Sequence, residues 1–107
     1  MKPVNDIQPS TGCWIDGSWG QYGVSRMVEL ASTYGYGDTR TQHRVVALAQ
    51  RHFARKELSP DEFEQLMHAA DEVEQWLTEH VAQEGCHFGW LDGEFFLMDD
   101  EWWEEQG

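Results

Sequence analysis

Apolar residues along the chain alternate between helical and strand spacing, and the switches outline its elements. Val24, Met27, Val28, Ala31 and Tyr34 recur at intervals of three and four and predict a first helix over about residues 22–34. Gly35 and Gly37 stop it. A second helix is predicted from Asp38 or Thr39 through Lys56, with Asp38 as its N-cap. Val45, Leu48, Ala49, His52 and Phe53 form one face of it. A third helix opens at Ser59-Pro60-Asp61-Glu62, an N-cap serine, a proline at the first helical position and a glutamate that completes a capping box. Phe63, Leu66, Met67, Ala70, Val73, Leu77 and Val81 keep one face apolar as far as Gly85. A rod of that length measures roughly 39 Å.

Strand spacing brackets these helices. Trp14-Ile15-Asp16-Gly17-Ser18-Trp19 and Trp90-Leu91-Asp92-Gly93-Glu94-Phe95 each place Asp-Gly between apolar residues. Asp-Gly is a two-residue hairpin signal, because both central positions of a type I′ turn need positive φ. The expected fold class is therefore α+β: about three helices, the last one long, packed on a small antiparallel sheet formed from two Asp-Gly β-hairpins. The expected core includes Trp14, Val28, Val45, Leu48, Phe53, Phe63, Leu66, Val73, Leu77, Trp90 and Phe96.

Length and composition limit the architecture further. At 107 residues the chain reads as a single compact acidic domain, 1–107, with a loose arm at 1–11 and an acidic, Trp-containing tail at 99–107. It is 40% hydrophobic and carries six tryptophans, which is too apolar for a disordered acidic segment. No apolar run approaches the ~20 residues of a membrane span. The opening residues carry no apolar stretch of the signal-peptide kind. Cys13 and Cys86 are expected to stay reduced, and the protein to be cytoplasmic and soluble.

Charge adds what hydrophobicity does not. All seven Lys and Arg lie at or before Lys56, against four carboxylates, so residues 1–56 carry +3. The remaining sixteen Asp and Glu lie from Glu57 onward with no Lys or Arg, so residues 57–107 carry −16. A net charge of −13 argues against a nucleic acid or an anionic membrane as a target of the whole surface and favours a basic partner.

On the third helix, Asp61, Glu64, Asp71, Glu72 and Glu79 mark an outer face. Their spacing of roughly 5–12 Å along the helix is comparable to that of phosphates on a nucleic-acid backbone. The tail adds Asp99, Asp100, Glu101, Glu104 and Glu105 around Trp102 and Trp103, a pattern suited to docking into a pocket with a basic rim. The alternative is a solvated helix face with one or both tryptophans folded back on the sheet. Arg40, Arg44, Arg51 and Arg55 form a stripe on the second helix beside its apolar face. The stripe is expected to turn inward and pair with Glu64, Asp71 or Glu74. Glu74 falls near the centre of the third helix's apolar face, where an unpaired carboxylate is costly. The competing reading has the stripe track a phosphate backbone.

Other chemistry is thin. Cys86-His87 with Cys13 and His80 lacks any standard metal-ligand spacing. Gly17, Gly20 and Gly23 precede a helix without the spacing or the lysine of a phosphate loop. No nucleophile elbow or zinc-protease helix is present, so no catalytic residue, metal or cofactor is assigned. In size, charge and helix–hairpin layout the chain resembles the small anti-defence proteins of phages and mobile elements, including anti-CRISPRs and anti-restriction DNA mimics. That resemblance is one of overall profile and carries no residue roles. The function expected is a non-enzymatic acidic module that blocks a basic surface of a partner, of the kind nucleic-acid-binding proteins carry. The alternatives are an adaptor or regulatory subunit that binds through an apolar patch, and direct nucleic-acid binding through the arginine stripe.

Overall fold

The computed structural model describes residues 11–106, so the arm expected at 1–11 lies outside the described residues except for Thr11. The chain runs β1 (Gly12–Ile15), a 3-10 helix (Gly17–Tyr22), α1 (Gly23–Thr33), α2 (Arg40–Phe53), α3 (Pro60–His68), α4 (Ala70–His80), β2 (Cys86–Leu91), β3 (Glu94–Asp99) and α5 (Asp100–Gln106). Among the described residues no helix is long and apolar enough to cross a membrane.

Three expectations about the number, length and pairing of the elements are corrected, and one about a cap. The expected count of three helices is too low, and the last helix, α5, has only seven residues. The long third helix is two helices, broken at Ala69, whose ψ of −12° falls well short of a helical turn. α3 packs on α2, whereas α4 packs on α1 and β2. Leu66 on α3 and Val73 on α4 are each fully buried. The predicted start of α3 holds: the Ser59 side chain accepts from the Glu62 N–H, and Glu62 reaches back to the Ser59 N–H. In α2 the N-cap is Thr39 and not Asp38, with Gln42 closing the capping box.

The third correction concerns the sheet. Among the described residues it is three-stranded and antiparallel, in the order β1-β3-β2. The second Asp-Gly pair makes the predicted hairpin, with φ of +52° at Asp92 and +82° at Gly93. The first does not. Asp16 stays extended, and its carboxylate accepts from the Ser18 N–H at 2.9 Å and from the Ser18 hydroxyl, so it caps the 3-10 helix. β1 instead crosses to pair with β3, with Gly12 opposite Leu97 and a register shift between Cys13 and Ile15.

The core lies between the inner face of the sheet and the helices. Ile15, Phe88, Phe95 and Leu97 meet Met27, Val28, Ala31, Leu66, Val73 and Leu77, all nearly inaccessible to solvent. Val45 and Leu48 are buried as expected, whereas Trp14, Phe53 and Trp90 are only half-buried and Phe63 is exposed. Phe96 is on the outer face of β3, because adjacent strand residues point to opposite sides and Phe95 takes the inner one.

Candidate functional site

The helices α3 and α4 carry Asp61, Glu64, Asp71, Glu72 and Glu79, and each is exposed. Glu64 lies 3.4 Å from His68, and Glu79 accepts from the Gln75 amide at 2.9 Å. Neither contact supplies a permanent positive charge. Because the expected rod is broken, these carboxylates occupy two short helices of about 14 and 17 Å, not one line. The acidic positions therefore fall on two helices joined at Ala69.

Glu74 sits half-buried on α4, and burial, with Asp71 nearby, pushes its carboxyl above the usual carboxylate range while His87 opposes the shift. The arginine stripe does not answer it. Arg51 pairs with Glu62 at 2.7 Å, and Arg44 donates to the Gln65 amide oxygen at 2.8 Å. Arg55 lies over the Tyr22 ring and donates to the Phe53 carbonyl. Arg40 is exposed. The stripe does clamp α2 to α3, but through Glu62 and Gln65 of α3, and not through Glu64, Asp71 or Glu74. The Ser59 N–H and then Arg51 hold the Glu62 carboxyl below its ordinary range.

The tail is structured. The Asp99 carboxylate accepts from the Trp102 N–H at 2.7 Å and starts α5, while the Asp100 N–H donates to the Gly85 carbonyl. α5 folds back over the outer face of the sheet. Trp103 stacks on His87 with centroids 5.1 Å apart, and its indole N–H donates to the His87 carbonyl at 2.9 Å. Trp102 packs on Phe96 at 5.5 Å. Both tryptophans are half-buried, whereas Asp99, Asp100, Glu101, Glu104 and Glu105 are exposed. Gly89 makes this docking possible, since a Cβ there would stand 2.8 Å from the Trp103 ring. Sequence reading did not assign His87, Gly89 and Phe96 to the tail. The available signal was parity, because all three lie on the strand face opposite Phe88, Phe95 and Leu97.

The remaining candidates separate. Cys13 and Cys86 are free and lie on β1 and β2, which flank β3 on opposite sides. Burial raises both thiols, and neighbouring carboxylates add to the rise, so neither is an activated thiolate. Among the described residues no group of three or more His, Cys, Asp or Glu is placed to hold a metal ion. Gly23 is buried, and a Cβ there would sit 3.3 Å from Trp90, so this glycine serves packing. No family model, curated protein or solved structure matches the chain.

Proposed function

We propose that the protein is a non-enzymatic acidic protein-binding module of the cytoplasm that covers a basic surface on a partner, of the kind nucleic-acid-binding proteins carry. One observation carries the reading. Of the sixteen carboxylates from Glu57 onward, Glu62 alone is in an ion pair with an arginine among the described residues. Most of the others are exposed on helices α3, α4 and α5. Negative charge concentrated this way repels itself and raises the encounter rate with a positive surface.

The test is capture of partners from lysate at low and high salt, with a variant in which Glu64 and Glu79 become Gln, Asp71 becomes Asn and Glu72 becomes Gln. Binding should weaken steeply with salt, compete with added nucleic acid, and fall at least tenfold in the variant. Capture that is flat in salt and survives neutralisation would refute the proposal and favour an adaptor with an apolar contact.

A further inference from the structure

A cleft of about 470 Å³ opens where the 3-10 helix, the end of α2 and the start of α3 converge. Tyr22, His52 and Phe63 line it together with Arg55, Lys56 and Glu57. The three rings are in sequence: His52 lies 4.8 Å from Tyr22 and 5.6 Å from Phe63, centroid to centroid. His52 is fixed from behind, with Nδ1 2.8 Å from the hydroxyl of buried Ser25. Its ring is therefore a rigid wall. Phe63 is 41% exposed although it belongs to the apolar series of α3.

Arg55 sets this cleft apart from an ordinary surface dent. Its φ of +65° is left-handed. The N–H groups of Arg55 and Lys56 close the end of α2 onto the carbonyls of His52 and Arg51. Glycine usually fills that position, because a side chain there strains the backbone. Here a guanidinium occupies it, 3.8 Å from the centroid of the Tyr22 ring and bonded to the Phe53 carbonyl at 2.9 Å. The left-handed closure of α2 thus carries a side chain that is already oriented beside the cleft. Arg55 and Lys56 outweigh Glu57, so the mouth is locally positive in a chain of net charge −13. Exposed charges beyond about 8–10 Å are screened in physiological salt, so these near groups govern what enters.

We propose that this cleft binds a small planar aromatic anion, its ring against His52 and Phe63 and its carboxylate or phosphate on Arg55 and Lys56. A guanidinium presents a flat pair of donors to either oxyanion. The volume lies in the range of small-ligand pockets. The ring supplies stacking that a simple inorganic anion lacks.

The experiment titrates isotope-labelled protein with naphthoate, naphthyl phosphate and neutral naphthalenemethanol, following amide shifts by NMR and affinity by calorimetry. Both anions should bind at least tenfold tighter than the alcohol, with shifts centred on Tyr22, His52 and Lys56. The order of the two anions identifies the oxyanion the site prefers. Arg55→Gly is the decisive variant, because glycine accepts the left-handed backbone and keeps the fold. It should retain the wild-type melting temperature or exceed it, yet lose at least tenfold in anion affinity. Lys56→Gln, at an exposed position, should lose several-fold. Phe63→Ala should weaken anions and alcohol alike. Equal affinity for anions and alcohol, unchanged affinity in Arg55→Gly, or binding of single-stranded oligonucleotide without binding of either naphthyl anion would overturn the assignment.

Discussion

The docking of α5 on the sheet can be broken from either side of one contact. Trp103→Ala removes a partly buried indole. Full burial of a large aromatic takes about 150–250 Å² from water. About two-thirds of that is buried here and, at about 25 cal/mol per Å², contributes ~2.5–4 kcal/mol. The bond to the His87 carbonyl adds about 1 kcal/mol. Part of the burial exists in any compact unfolded ensemble, which brings the expected loss to about 3 kcal/mol. For a chain of this size that is a fall of about 12 °C in melting temperature. Gly89→Ala attacks the same contact from β2 by placing a Cβ 2.8 Å from the Trp103 ring. Overpacking of this kind costs about 1–3 kcal/mol. The two losses share one cause, so the double variant should be no less stable than Trp103→Ala alone. Urea unfolding followed by circular dichroism measures all four proteins, and hydrogen exchange of the amides of residues 100–106 reports the docking directly. A Trp103→Ala protein that melts within a degree or two of wild type, or a double variant whose losses simply add, would refute the packing argument.

Three further outcomes are expected. Glu74→Gln should stabilise the protein at neutral pH. The folded carboxyl is raised, so its contribution to stability is full below the ordinary glutamate value and is lost as pH rises through the folded one. The gain over wild type should therefore vanish in acid, as measured by urea midpoints across pH. Burial and then Arg55 lower His52, so its contribution is present above about pH 6.5 and is lost as pH falls further. A His52→Gln protein should lack this part of the acid sensitivity, with Ser25 still buried beneath it. The Tyr36 hydroxyl is buried without a hydrogen-bond partner, and burial, then Glu72, pushes the phenol up to about 12. Tyr36→Phe should be neutral or add up to about 1–2 kcal/mol, and a loss above 1 kcal/mol by thermal melting would show that the hydroxyl is in use.

Where chemistry was local, the sequence was readable. The Ser59 capping box and the Asp92-Gly93 turn each depend on a few consecutive residues, and both are present. The same dipeptide misled at Asp16-Gly17, because Ser18 offers the Asp16 carboxylate two donors, whereas Glu94 and the aromatic run after it favour a strand. No helix breaker marks Ala69, and the two helices it joins pack on different neighbours. Of Phe95 and Phe96, either could have faced inward, and only the pairing of β3 on both sides decides. The exposed carboxylates of the candidate surface were legible as helix-face positions. The cleft was not, because its strained arginine stands out only once α2 is known to end at Phe53.

The order of strands also sets a timetable for the growing chain. Among the described residues β3 is the middle strand and the last of the three to be made, and β1 pairs with β3 alone. When Gly12–Ile15 leaves the ribosome it must wait through the synthesis of every helix from α1 to α4 before Leu97 arrives opposite Gly12. Closing so long a loop is slow relative to forming helices. A nascent chain stopped before Glu94 would leave both outer strands unpaired, with Ile15 and Phe88 open to aggregation. The protein is thus committed to folding late, and its yield in cells should respond to truncation before residue 94 more sharply than to most single substitutions on its surface.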